Sequence, residues 1–568
     1  MGCPPIESAR IGADPPWNSI GFGPGARTLA RRIGTSWKQS PVDGPFDAVV
    51  IGSGIGGLGA AAMMARRRGM RILVLERHYT AGGFTHTFER DGFEWDVGVH
   101  YVGKMAGRRG ALRRLFDYVT DGELDWAAMP EVYDRIVVGD REFDLAAGQD
   151  RFVDGLSSSF PAERKGIEGY LAQVKACVRA AGPYFGTSAL PPRVAGLLGG
   201  LMRRGFLRHA RRTTGEVIAS HVKDPVLRAV LAGQYGDYGL PPALSSFGSH
   251  ALVAEHYLHG AAYPVGGSSR IAATILPVIE AAGGHVAVAA DVEQVVVEDG
   301  RAAGVRLAGG RIVRAPVVVS DAGWAATVGR LVPEEWRSRF PALTGIGPSC
   351  AHLSLYVGLR GTAAELGFTG TNQWLYPDAD LDGSFQRFGR DPGAPFPIVY
   401  LSFASAKDPT FLDRYPGKAT LEAVTMGPFA PFARWADTRP GHRGQEYEEL
   451  KEGLRERLLA VVEARLPSIR GRVEVAELST PLSTRHFAGH PGGEVYGLEA
   501  TPRRFEARIP VRAPLPGLFL TGADVATSGL TGALMGAALC ASAVLKENTI
   551  AAILKEPDRR RTAAGATP

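Results

Sequence analysis

Cysteine is scarce. Four residues in 568, Cys3, Cys177, Cys350 and Cys540, are scattered without a CxxC pair. That excludes a disulfide framework and a zinc ribbon and fits a reducing compartment. No apolar run reaches the ~20 residues a membrane-spanning helix requires. Residues 1–44 lack the apolar core of a secretory leader. Arg31-Arg32 is followed by Gly34-Thr35-Ser36-Trp37-Lys38 rather than a hydrophobic stretch, and Met1-Gly2-Cys3 lacks the Ser or Thr at position 6 that myristoylation uses. The expectation is a cytoplasmic protein with a loose N-terminal arm. Tandem repeats and low-complexity segments are absent. A net charge of +6 and a pI near 9.1 would suit nucleic acid. However, the arginines are dispersed, no recognition helix or base-stacking motif accompanies them, and Arg559-Arg560-Arg561 reads as a solvated tail. No Ser/His/Asp order and no paired metal ligands emerge, so neither hydrolase chemistry nor a metal site is expected.

What is present concentrates in residues 49–103. The run Asp47-Ala48-Val49-Val50-Ile51 is short, apolar and β-branched, and stops at Gly52-Ser53-Gly54-Ile55-Gly56-Gly57, after which an Ala/Met/Leu-rich helical pattern begins. Gly52 permits the turn, Gly54 lets the backbone approach a pyrophosphate, and Gly57 lets helix and strand pack closely. Arg71-Ile72-Leu73-Val74-Leu75 supplies a second strand ending at Glu76, beside Arg77, where a carboxylate accepts hydrogen bonds from both ribose hydroxyls. Dinucleotide binding follows, against the alternative of a glycine-rich turn with no ligand. Ala81-Gly82-Gly83 then adds a second small-residue contact suited to a phosphate.

This arrangement resembles the FAD domain of the phytoene desaturase, carotene isomerase and amine oxidase superfamily. Within it, Gly83-Phe84-Thr85-His86-Thr87-Phe88 and Phe93-Glu94-Trp95-Asp96-Val97-Gly98-Val99-His100-Tyr101-Val102-Gly103 look most like the all-trans-retinol 13,14-reductase, or retinol saturase, family. The segments Gln234–Gly239, His256-Tyr257, Tyr263–Ser269, Ser405–Pro409 and Ser479–Leu482 are similar to saturase landmarks in the same order, so the resemblance covers nearly everything after residue 44. It departs at Phe84-Thr85, where a small or Cys-containing pair is expected in the animal enzymes. Thiol chemistry is therefore not carried over.

The resemblance implies an α/β fold: a Rossmann-type FAD-binding domain of the glutathione-reductase-like, amine oxidase/phytoene desaturase variety, interleaved with an α+β substrate domain bearing a helical cap. The expected plan is an arm over 1–44, FAD-binding parts over 45–110, 260–330 and 500–555, substrate domain and cap over 111–259, its sheet over 331–499, and a basic tail over 556–568. At this length more than one core is available. Leu515 to Asp524 reads as turn, strand and glycine bend, with Gly522 shaping the bend and Asp524 facing the ribityl chain or pyrophosphate. The run Gly529–Ala538, including Gly532 and Ala533, is expected to bring helix N-terminal amides against the flavin, or else to be a plain core helix. Val292, by resemblance, faces the adenine, or else is an ordinary strand valine.

The implied reaction saturates a carbon-carbon bond in a hydrophobic retinoid or carotenoid-like polyene, with desaturation and cis-trans isomerisation as alternatives, and NAD(P)H as a transient donor. From another class, prenyl-lipid carriers of the GDP-dissociation-inhibitor type share the fold but predict a degraded cofactor site, unlike this one. Saturation calls for a general acid; the candidates are His100, Tyr101, Tyr238, His256 and His486, with His100 and Tyr101 foremost. Leu197–Arg212 alternates apolar residues with five arginines and is a candidate interfacial membrane helix, or else a cap helix packed on the substrate domain.

Overall fold

The computed structural model describes residues 32–40, 44–105, 107, 110–190, 192–507 and 509–557. Cys3, Arg31, the Met1-Gly2-Cys3 start and Arg559–Arg561 lie outside them. The strands Ala48–Ile51 and Ile72–Glu76 are buried along their whole length, as apolar β-branched runs must be when helices cover both sheet faces. They sit inside a six-stranded parallel sheet, in the order Thr35–Ser36, His285–Val288, Ile72–Glu76, Ala48–Ile51, Val318–Ser320, Leu518–Leu520. One Rossmann-like layer is thus drawn from widely separated pieces of chain. The N-terminal arm needs correcting. Thr35–Ser36 pairs with the edge strand His285–Val288, Ile33 N donates to Thr80 Oγ1 at 3.1 Å, and Arg32 Nε donates to the Tyr79 carbonyl at 2.9 Å. Unpaired edge amides give this stretch a place to bind that composition does not reveal.

The crossover helix Ile55–Arg68 starts on the glycine turn and ends on Gly69 in the left-handed region, with three arginines in the last turn against the carbonyl end of its dipole. Against it packs Gly529–Leu545, which is rich in small residues. Beside the sheet, Val292–Glu298 and Arg301–Leu307 form a hairpin whose turn residues Asp299 and Gly300 both have positive φ, as a tight two-residue turn requires.

The substrate domain is built on a seven-stranded sheet, ordered Val473–Ser479, His352–Arg360, Lys418–Met426, Val399–Ser402, Asn372–Tyr376, Val132–Val138, Arg141–Ala146. Alternation along His352–Arg360 divides its side chains. Leu353, Leu355 and Val357 enter the core under the helix Gln445–Arg465, whereas His352, Ser354 and Tyr356 line a cavity on the other face. Of the helical cap, Phe247–Tyr257 lines that cavity, with Arg164–Gly186 and Pro192–Ala210 packed against it. Pro192–Ala210 keeps Leu197 83% and Leu201 76% exposed, with Val194 and Leu198 beside them. Among the described residues no single helix is long and apolar enough to cross a membrane. The pair Gly529–Leu545 and Thr549–Lys555 passes jointly, but it is bent by 105° and its first member is core.

Gly57 tests the closeness of strand and helix. A Cβ there would lie 2.2 Å from the Gly52 carbonyl oxygen, which is backbone and cannot turn aside. Gly57→Ala is expected to destabilise the protein by about 1–3 kcal/mol, seen as a lower thermal unfolding midpoint. An unchanged midpoint would show that the turn has slack.

Candidate functional site

Two cavities meet where the two domains join. The larger, about 660 Å³, runs over the glycine turn past Gly52, Gly54 and Gly56 to Glu76. Glu76 is prepared for a polar ligand. Its Oε2 accepts from Ser53 N at 2.8 Å and Ser53 Oγ at 2.7 Å, and its Oε1 accepts from His78 N at 2.8 Å. Ser53 Oγ in turn accepts from Gly82 N at 3.1 Å, which ties the second glycine loop to the first. Arg77, Gly82, Gly83, Val292, Gly522 and Ala533, all named from the sequence, line this cavity.

Neither Gly57 nor Gly532 lines the cavity: Gly57 packs helix on strand, and Gly532 changes role, since a Cβ on it would lie 2.0 Å from the Thr527 carbonyl oxygen, so it too serves close packing. Asp524 does line it, but its Oδ2 accepts from Trp324 N at 2.6 Å and its Oδ1 from Leu498 N at 2.8 Å. It therefore fixes two walls first, and only its remaining lone pairs are available to a ligand. Asp321 was not anticipated. Its carboxylate hangs over the glycine turn, so that a Cβ on Gly56 would meet Asp321 Oδ1 at 2.3 Å. Burial, with Glu76 and Asp524 adding like charge, pushes its pKa up to about 8 against the pull of the Gly57 amide.

The second cavity, about 190 Å³, lies on the substrate side and shares Phe84, Val97, Gly98, Val99, Gly529 and Leu530 with the first. Its walls are aromatic: Tyr101 stacks on Tyr257 with centroids 4.1 Å apart, and Trp374 meets Tyr400 at 4.2 Å. Four of the proposed acids, His100, Tyr101, Tyr238 and His256, line it. Their partners separate them. His256 Nε2 accepts from Gly103 N at 2.7 Å, and burial beside Lys104 lowers its pKa to about 3, so it is a neutral backbone anchor. Tyr238 is joined through His250 to Tyr170, at 3.1 and 2.6 Å. His100 is also neutral, with a pKa lowered to about 3 by burial and then by Lys407 and His352; its buried Nδ1 has no hydrogen-bond partner among the described residues. Lys407 Nζ donates to the His100 carbonyl at 3.0 Å.

His486 must be withdrawn from the list. It sits on the helix Pro481–Ala488, outside both cavities, where burial and the nearby Arg77 and Arg443 lower its pKa. Sequence reasoning also missed Asp237 and Asp134, which hold Tyr101 between them. Asp237 does stand inside the Gln234–Gly239 landmark, a charge among small and aromatic residues. Asp134 interrupts an otherwise mainly apolar strand.

A glycine turn with an acid at the end of the next strand, opening onto an aromatic chamber, defines a two-domain dinucleotide-binding oxidoreductase. Comparisons agree. Residues 50–119 match the family model of the NAD(P)-binding Rossmann-like domain. The chain is 37% identical to the all-trans-retinol 13,14-reductase of Rattus norvegicus, over 90% of this chain and 88% of that one. It is 26% identical to prolycopene isomerase 1 of an Oncidium hybrid cultivar, over 80% and 75%. Among solved structures, cyclohexylamine oxidase from Brevibacterium oxydans has the same fold, with a TM-score of 0.54 at 18% identity over 90% of this chain and 99% of that one. The chain belongs to the all-trans-retinol 13,14-reductase family.

The raised Asp321 carboxyl has a consequence for stability. In the fold it keeps its proton to about pH 8, whereas unfolded it ionises near its ordinary 3.8. Between those values the unfolded state binds fewer protons, so the contribution of Asp321 to stability falls as pH rises. Asp321→Asn is expected to remove that part of the decline, measured as unfolding midpoint against pH without added dinucleotide. Parallel wild-type and variant curves between pH 4 and 8 would contradict it.

Proposed function

We propose that this protein reduces a carbon-carbon double bond in a long hydrophobic polyene of the retinoid or carotenoid type, with FAD as its bound cofactor and NAD(P)H as a transient donor. The carrying observation is the shared wall. Phe84, Gly98 and Gly529 border both cavities, so a ligand in the aromatic chamber lies beside the far end of a dinucleotide whose ribose is held at Glu76. What supports FAD is the second glycine loop at Gly82-Gly83 and the C-terminal bend at Gly522, which close around the first glycine turn while the cavity runs on to Phe84, Gly98 and Gly529. Gly83 and Gly54 approach so closely that a Cβ on Gly83 would lie 2.9 Å from Gly54 Cα, a cradle of bare backbone suited to a pyrophosphate.

FAD, when bound, supplies hydride chemistry. The chain supplies the rest. Tyr101, Tyr257, Tyr400 and Trp374 form flat apolar walls that hold a conjugated chain and keep water out. Neutral His100 and His256 add no charge to repel it. Reduction ranks before isomerisation because the reductase relative is the more similar, at 37% against 26% identity. Protein reduced without oxygen and mixed with all-trans-retinol or a carotenoid is expected to reoxidise its flavin and yield a product heavier by two hydrogens. Oxidised protein that instead bleaches while the polyene loses two hydrogens would make it a desaturase, and an isomer of unchanged mass would make it an isomerase.

Such a substrate is dissolved in membranes, and the helix Pro192–Ala210 suits their surface. Its exposed Val194, Leu197, Leu198 and Leu201 adjoin exposed Arg193, Arg204 and Arg208, while Arg203 donates to the Phe505 carbonyl and holds the helix to the body. We therefore propose peripheral binding to anionic bilayers through this helix. Leu197→Ser with Leu201→Ser is expected to weaken co-sedimentation with anionic vesicles about tenfold or more while leaving the unfolding midpoint unchanged. Equal binding by the double variant would remove this helix from the contact.

A further inference from the structure

Saturation needs a proton as well as a hydride, and the histidines of the chamber are poorly suited to give one: His100 is neutral and His256 is spent on backbone. The hydroxyl of Tyr101 lies between two carboxyl groups, 2.9 Å from Asp134 Oδ2 and 3.4 Å from Asp237 Oδ2. It has one proton, so it donates to one of them only. Asp134 is fully buried in the strand Val132–Val138 and also accepts from Gln234 Nε2 at 2.7 Å and Asn372 Nδ2 at 3.0 Å. With three donors, Asp134 is furnished as the carboxylate.

Asp237 has none of that support. Among the described residues its side chain has the Tyr101 hydroxyl as its hydrogen-bond partner, and Tyr101 is closer to Asp134. Asp237 can satisfy this geometry by donating to the Tyr101 oxygen, which requires it to carry its own proton. Burial raises both carboxyls, and the neighbouring Asp134 carries Asp237 further, well above the ordinary range. The other ionisable groups around it are Tyr238, Tyr257, Tyr376, Tyr400 and Tyr496, with Lys407 beyond at 5.9 Å from the Tyr101 ring. Unlike Asp134, Asp237 is only half-buried and lines the chamber.

We propose that Asp237 is the catalytic proton donor of the double-bond reduction, with Tyr101 and Asp134 as its positioning residues. One alkene carbon accepts a hydride, with its electron pair, from the reduced dinucleotide. The O–H bond of Asp237 breaks as a C–H bond forms on the adjacent carbon. The carboxylate left on Asp237 then accepts the Tyr101 hydroxyl and regains a proton from water when the product leaves. This step rests on the reduction reading above, and its test is chosen to fail separately from it.

The test uses infrared difference spectroscopy and single turnover on wild type, Asp237→Asn and Asp237→Glu. Wild-type protein is expected to give the carbonyl stretch of a protonated carboxyl, shifted in heavy water and lost in Asp237→Asn, whatever the substrate. Asp237→Asn should keep the wild-type flavin content and unfolding midpoint, yet slow reoxidation of its reduced flavin by polyene at least about 100-fold, with Asp237→Glu recovering part of the loss. A missing carbonyl band in wild type overturns the proposal. So does reoxidation in Asp237→Asn within about threefold of wild type, well short of the general-acid range. If Asp237→Asn fails to fold, the displacement of the band between wild type and Asp237→Glu, which the protonated Asp321 does not share, and the Asp237→Glu rate decide instead; loss of the step in a folded Asp237→Glu that keeps the band overturns the donor role. Wild type that shows a band lost in Asp237→Asn but reduces no polyene overturns the reduction reading, and with it this step, while leaving the protonated Asp237 established.

Discussion

Three backbone segments must touch where this protein binds its dinucleotide, and the rest of the structure is arranged around that approach. The turn Gly52–Gly57, the strand end at Asp321 and the bend at Gly522 come so close that a Cβ on Gly56 would lie 2.6 Å from Gly522 Cα. A Cβ on Gly536 would lie 2.3 Å from the Gly522 carbonyl oxygen, so the helix Gly529–Leu545 is drawn into the same knot. Parallel pairing of Val318–Ser320 with both Ala48–Ile51 and Leu518–Leu520 sets the register of the approach. Asp321 and Asp524 then hold the loops beyond the strands by accepting backbone N–H groups. The anion site is thereby lined with backbone rather than side chains, and it exists only when distant parts of the chain are folded together.

The second domain brings one face of a sheet and a helical cap to the far end of that site. Because strand side chains alternate, the same strands that bury leucines under Gln445–Arg465 present His352, Ser354, Tyr356, Trp374 and Tyr400 to the chamber. The cap contributes Tyr257 and the Tyr235–Asp237 turn. Chemistry and binding are thus shared between domains. The cofactor domain offers bare backbone for phosphates, and the substrate domain offers aromatic faces and a few buried polar groups.

Burial sorts those polar groups. It favours the neutral form of every ionisable side chain, which strips histidines of the proton a general acid must give and lets aspartates keep theirs. His100, His250 and His256 are all lowered to about 3, whereas Asp237 is raised. Scanning a sequence for general acids favours histidine because its pKa in water is near neutrality. In this chamber the low polarity reverses the order, and the carboxyl becomes the group that carries a proton to the substrate.

Much of this was legible in the residues themselves. The strand, glycine turn, helix and acid from Val49 to Glu76 follow one another locally, and each depends on backbone freedom, hydrophobic period or charge at known spacing. The hairpin at Asp299-Gly300 and the small-residue helix from Gly529 are local in the same sense, and the landmarks after residue 44 led to the family. What folding alone decided was which distant groups meet. Nothing in the spacing of Tyr101, Asp134 and Asp237 places one hydroxyl between two carboxyls, nor brings Asp321 over the glycine turn. Nothing in residues 33–36 signals that they complete a sheet edge formed some 250 residues later. His486 and Gly532 erred for the same reason: residue type states what a side chain is able to do, whereas pairing, packing and burial select what it meets.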